Sequence, residues 1–121
     1  MPRRLFPEDK VHPAIQGVLG SHQSDIIDEV SQAIDVHPVV VVGMSQNPFP
    51  KKARKLLDAQ GVTYHYLEYG SYLNSWRRRN ALKMWTGWPT FPMIFVRGTF
   101  IGGFNDLKAL VDKGDLATML A

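Results

Sequence analysis

Four β-branched residues in a row, Val39-Val40-Val41-Val42, stand between Pro38 and Gly43. A short run with no polar side, bounded by Pro and Gly, reads as a strand buried on both faces. A strand of that kind needs helices above and below it, which places the chain among layered α/β folds. At 121 residues there is room for one such domain and little for two. The 45% hydrophobic share supplies a core without staples and excludes a disordered or collagen-like chain.

The surrounding pattern supplies the other elements. Residues 1–23 read as an arm, interrupted by Pro2, Pro7, Pro13, Gly17 and Gly20, with a short helix from Pro13 to Leu19. From Ser24, the stripe Ile26, Ile27, Val30, Ala33, Ile34 has helical spacing and ends at His37-Pro38. After the valine run, Asn47 is a good N-cap, with Pro48 in the first helical position and Pro50 still within the first turn. Phe49, Ala53, Leu56 and Leu57 form the expected inward face of that helix, and Gly61 closes it. Val62 to Leu67 reads as a second strand and Ser71 to Thr86 as a helix, broken by Gly87-Trp88-Pro89. Met93–Val96 and Thr99–Ile101 are strands joined by a turn at Arg97-Gly98. Asn105 or Asp106 caps a further helix, and a last one spans Asp115 to Leu120. The order is a helix followed by β-α-β-α-β-β-α. It predicts a four-stranded mixed sheet flanked by helices, with residues 24–121 as the domain.

Composition removes whole classes of chemistry. There is no cysteine, which excludes disulfides, cysteine zinc sites, thiolate-ligated iron–sulfur clusters held by this chain alone, and every thiol mechanism. Fourteen Lys+Arg against eleven Asp+Glu give a net charge of +3, too little to argue for nucleic acid. No apolar run spans a bilayer, and MPRRLFPEDK lacks the apolar stretch of a secretory signal, so the cytoplasm is the default compartment and no membrane partner is expected. His12, His22, His37 and His65 show no metal-ligand spacing, and no metal site is expected. Trp85 and Trp88 read as core or groove wall, and Tyr64, Tyr66, Tyr69 and Tyr72 as packing. Arg77 and Arg78 read as a solvated face.

Several motifs in order carry a resemblance. His37-Pro38 before the valine run, Pro48-Phe49, Trp88-Pro89-Thr90-Phe91-Pro92, the hairpin, and Ile101-Gly102-Gly103 resemble glutaredoxins, and most closely their monothiol branch, over roughly residues 34–120. Arg79 and Lys83 fall where that branch has an Arg and a Lys. The resemblance implies a thioredoxin-like fold, here with an extra N-terminal arm and helix. It also implies a cis Phe91–Pro92 peptide, a groove for glutathione, and glutathione-dependent thiol–disulfide exchange or cluster carriage.

The departure lies at the chemistry. Asn47-Pro48-Phe49-Pro50 stands where the family has Cys-Pro-Phe-Cys or Cys-Gly-Phe-Ser. Asn47 and Pro50 take the cysteine positions, so no catalytic residue is expected. A carboxamide cannot form a mixed disulfide and is a poor ligand for iron–sulfur iron. Met44 stands at a family lysine, and Asn105 follows Phe104 where the family prefers Asp. The resemblance gives that Asp the amino group of glutathione as its partner; either Asn105 still accepts that hydrogen bond through its amide oxygen, or affinity falls, one lost charge-assisted hydrogen bond costing ~1.5–3 kcal/mol, or about one to two decades. Gly102 to Asp106 offers N–H groups at a helix start for a carboxylate.

The expected ligand-binding residues are Asn47, Pro48, Phe49, Arg79, Trp88, Thr90, Phe91, Pro92, Gly103, Phe104 and Asn105. Glutathione, or an extended protein segment, is the expected occupant of a non-catalytic module. Two other readings stay open. One is an oxidoreductase or cluster carrier that uses thiols from a partner or from glutathione. The other is an interaction scaffold whose groove is closed by the arm through Leu5, Phe6, Val11 and Ile15.

Overall fold

The computed structural model describes Lys10, His12 and residues 24–70 and 76–121. The expected arm, its short helix and the start of the Ser71 helix otherwise lie outside the described residues. The elements are α1 (Ser24–Val36), β1 (Val39–Gly43), α2 (Pro48–Ala59), β2 (His65–Glu68) and α3 (Trp76–Thr86). After them come β3 (Met93–Val96), β4 (Thr99–Gly102), α4 (Phe104–Asp112) and α5 (Asp115–Leu120).

The strands form one mixed sheet in the order β2-β1-β3-β4. β1 runs parallel to β2, with Val40 opposite His65 and Gly43 opposite Glu68. It runs antiparallel to β3, with Val39 opposite Val96 and Val42 opposite Met93. β3 and β4 form the hairpin, whose register shifts between Ile94 and Phe95. Arg97 and Gly98 both have positive φ, 51° and 80°, as a two-residue type I′ turn requires.

All four valines of β1 are fully buried. Val40 and Val42 pack with Met93 and Phe95 against Ile26 and Val30 of α1 and Leu82 of α3. Val39 and Val41 pack with Ile94 and Val96 against Ala53 and Leu57 of α2, Leu107 of α4 and Leu116 of α5. The period-two alternation of strand side chains thus feeds two cores, one on each face. This is the thioredoxin-like arrangement that the resemblance implied, with α1 as the extra N-terminal helix.

Three local expectations are corrected. The second strand starts at His65, not Val62, because the Val62 N–H goes to the Leu57 carbonyl at 3.0 Å and the Gly61 N–H to the Asp58 carbonyl. The donors that a strand would have used close the end of α2 instead. The last long helix starts earlier than expected, with Gly103 as N-cap. Asp106, at its third position, accepts from the Gly103 N–H at 2.9 Å. Finally, the buried row of α2 is Pro50, Ala53 and Leu57, while Phe49 is 44% exposed. Phe49 turns toward Phe104 instead, and Pro50 takes the inner place beside Gly43. A Cβ on Gly43 would come within 2.7 Å of the Pro50 Cβ.

Candidate functional site

Three chain segments converge on one cleft of about 380 Å³. The start of α2 contributes Asn47, Pro48 and Phe49. The α3–β3 loop contributes Trp88, Thr90, Phe91 and Pro92, and the β4–α4 junction contributes Gly103, Phe104, Asn105 and Asp106. Each segment leaves the sheet at a strand end fixed by the pairings above, so the cleft is a product of topology. The Phe91–Pro92 peptide is cis.

Asn47 makes the most informative contacts. Its Oδ1 accepts from the Phe49 N–H at 3.0 Å, capping α2. Its Nδ2 donates to the Phe91 carbonyl at 3.2 Å, across 44 residues of sequence. One partner is a donor and the other an acceptor, which fixes the orientation of the carboxamide. Among the first three residues of α2, Pro48 and Pro50 carry no N–H, and that of Phe49 is already taken by Asn47. This helix end has therefore lost the donors with which helix N-termini receive anions.

The start of α4 differs. Asp106 occupies the Gly103 N–H, but the N–H groups of Phe104 and Asn105 lie in the first turn, where no helical carbonyl reaches them. Beside them, the Trp88 indole Nε1 is buried without a hydrogen-bond partner. Gly103 keeps this corner open, since a Cβ there would stand 3.6 Å from that nitrogen and 3.5 Å from the Pro92 carbonyl oxygen. The Trp88 ring meets Phe100 edge-on at 5.6 Å, and Phe49 faces Phe104 at 6.3 Å. Two cations flank the cleft. Lys52 Nζ lies 4.9 Å from the Phe49 ring centroid, and Lys83 Nζ lies 5.9 Å from that of Phe91.

The structure brings together every residue expected in the cleft except Arg79. That side chain is buried, and its Nη1 donates to the Tyr69 carbonyl at 3.2 Å. Tyr69 in turn donates through its hydroxyl to Glu29 on α1, so Arg79 belongs to a structural link between α1 and α3. Trp85 also lies away from the cleft, with its ring 6.3 Å from Phe95. Met44 is buried in the core with Tyr69 and Phe91 and presents nothing to a ligand. The Phe91 carbonyl, which borders the cleft, already has Asn47 as a partner. Asp106 was missed as a lining residue, although an acid in the third position of a helix is a readable capping signal.

Burial and the neighbouring Asp58 raise the pKa of Tyr64. Burial, followed by the hydrogen bond and charge of Glu68, pushes Tyr66 up to about 12. Neither tyrosine lines the cleft. Among the described residues, no three His, Asp or Glu side chains gather as a metal site. A carboxamide followed by Pro48 and Pro50 offers no soft donor, so the residues at the start of α2 do not fit the iron–sulfur cluster implied by the resemblance. No helix among the described residues is long and apolar enough to cross a membrane.

Residues 39–101 match the family model for glutaredoxin. A glutaredoxin-like protein of Dictyostelium discoideum is 46% identical over 102 residues, covering 84% of this chain and 83% of the relative. Monothiol glutaredoxin-4 of Schizosaccharomyces pombe is 29% identical over 80% of this chain and 41% of its own length. Among solved structures, a buckwheat glutaredoxin–glutathione complex superposes with a TM-score of 0.73 at 26% identity, covering 82% of this chain and 90% of that one. The matched residues include β1, both helices that follow it, the cis-proline loop and most of the hairpin, and on these grounds the chain belongs to the glutaredoxin family, as a member without a single cysteine.

Proposed function

We propose that this chain is a non-catalytic binding module that holds reduced glutathione, or an extended peptide ending in a carboxylate, in the cleft between α2, the cis-proline loop and α4. The observation that carries the reading is the α4 corner. The first-turn N–H groups, the unpartnered Trp88 Nε1 and the open face of Gly103 lie together there. The Phe49 and Phe104 rings supply apolar wall, and Lys52 and Lys83 make the rim positive. The glutathione held by the buckwheat relative supports the choice of ligand.

Catalysis through thiols borrowed from a partner finds no support at α2. A thiolate placed there would meet a helix end where Pro48 and Pro50 have no N–H and that of Phe49 is held by Asn47. In this reading residues 24–121 are the binding domain and residues 1–23 an arm, and the protein works in the cytoplasm. Calorimetric titration with reduced glutathione tests the proposal, with a disulfide-reduction assay on the same preparation. Binding in the micromolar to millimolar range with turnover at the background rate is expected. Absence of heat and of chemical-shift change at millimolar glutathione removes the ligand, and sustained turnover removes the non-catalytic reading.

A further inference from the structure

We propose that Asn47 is a built-in occupant of its own cleft: its carboxamide takes the Phe91 carbonyl, so an extended ligand that pairs with this backbone edge must first displace it. The inference rests on the proposed ligand class and adds how the site is regulated.

The geometry comes from three facts. Asn47 and Phe91 both line the cleft, and the Nδ2···O contact of 3.2 Å joins its two walls. The same carboxamide is held from the other side by the Phe49 N–H, so its orientation is locked. A peptide main chain beside Phe91 would seek the same acceptor by strand-like pairing. Asn47 therefore imitates one hydrogen bond of such a ligand in its absence. A ligand that replaces this bond exchanges one hydrogen bond for another, and gains less than it would from an open carbonyl.

Selectivity follows. A ligand that relies on main-chain pairing with Phe91 is weakened by Asn47. A small carboxylate that uses only the α4 corner, through Phe104, Asn105 and Trp88, is not affected. The cleft thus favours compact anions relative to extended peptides, and removal of the Nδ2 donor reverses that preference.

The test compares the unmodified chain with Asn47→Ser and Asn47→Asp. Both substitutions keep an acceptor for the Phe49 N–H, so the helix cap survives, and both remove the Nδ2 donor to Phe91: aspartate has no donor, and the serine hydroxyl sits one bond nearer the backbone than Nδ2. Thermal denaturation verifies that each is folded. Chemical-shift titration with reduced glutathione is expected to show affinity for Asn47→Ser roughly three- to tenfold above that of the unmodified chain. Titration with glutarate, which has no peptide main chain, is expected to give equal affinities for these two proteins. In the unliganded chain, the Asn47 side-chain amide protons should exchange with solvent more slowly than those of Asn80, which is exposed, and glutathione should abolish the difference.

Equal glutathione affinities for the unmodified chain and Asn47→Ser would show that the ligand is right and the latch wrong. Exchange at Asn47 as fast as at Asn80 would also overturn the latch. If neither protein binds glutathione while Asn47 stays protected, the ligand assignment fails and the regulatory proposal fails with it. If only Asn47→Ser binds, both are supported. Asn47→Asp, which carries no donor at all, should move the Phe91 carbonyl carbon resonance as Asn47→Ser does, and no movement in either variant would show that this carbonyl had no Asn47 bond to lose.

Discussion

Tyr66 shows how a single side chain ties the α2 segment to the sheet. Its ring lies 4.1 Å from the Arg54 guanidinium, and its hydroxyl donates to Glu68 at 3.1 Å. The same hydroxyl stands where a side chain on Gly43 would go, so glycine, proline and tyrosine share one small space. The folded state holds the phenol neutral, with its pKa pushed up to about 12 from an ordinary value of about 10. A raised pKa stabilises the fold fully below the unfolded value. That contribution is lost as pH rises from about 10 through about 12, because the unfolded chain ionises first. Replacing Tyr66 with Phe should therefore flatten the alkaline fall in stability relative to the unmodified chain, as read from urea midpoints between pH 9 and 11. Equal slopes would show that Tyr66 does not report on this linkage. At the same scale, the sequence reveals Asn47 as a cap because capping is local. Its bond to Phe91 is not legible, because the partner arrives from a loop 44 residues away.

The two helices that border the cleft begin by opposite means. α2 consumes its donors with Pro48, Pro50 and the Asn47 cap. α4 starts at a glycine with no side chain to offer, and Asp106 reaches back from within the first turn to the Gly103 N–H. That bond joins the one from the Leu107 N–H to the Gly103 carbonyl in anchoring the start of α4, and the carboxylate also sits where the helix dipole favours negative charge. Asp106→Ala should cost about 1 kcal/mol of stability, measured as a lower urea midpoint at unchanged slope, and should expose the Gly103 N–H to exchange. An unchanged midpoint would mean that another group satisfies this N–H. Element starts and stops were legible where short-range chemistry sets them: Pro38 before β1, Asn47 before α2, and Arg97-Gly98 in the hairpin. They were misread where backbone donors had a second use, at Val62 and at Gly103. The resemblance, through its Arg position, placed Arg79 toward the ligand, and helical spacing does not correct it. Such spacing cannot say which face of α3 meets the sheet, and the guanidinium instead meets the Tyr69 carbonyl.

For the molecule as a whole, the sheet divides the interior into two cores, with β1 and β3 in both. Val40 and Val42 belong to the side covered by α1 and α3, and Val39 and Val41 to the side covered by α2, α4 and α5. Two cores separated by a sheet pose a physical question: does the domain unfold as one unit or as two? The shared strands argue for one. Losing either set of helices would expose two fully buried valines of β1 on that face, leaving the remaining half with a strand no single face can satisfy. The test needs truncations mild enough to leave the double variant folded. Ile26 on α1 and Ile94 on β3 are both fully buried, in different cores. Ile26→Val and Ile94→Val should each cost about 0.5–1.5 kcal/mol. Because the two side chains share no packing cluster, the double variant should equal the sum to within about 0.5 kcal/mol. All four proteins should also show a single transition with the same denaturant slope, because the same surface is exposed each time. A split transition, or a slope that falls only when one face is weakened, would show that the α1–α3 side can detach from the sheet while the cleft-bearing side stays folded.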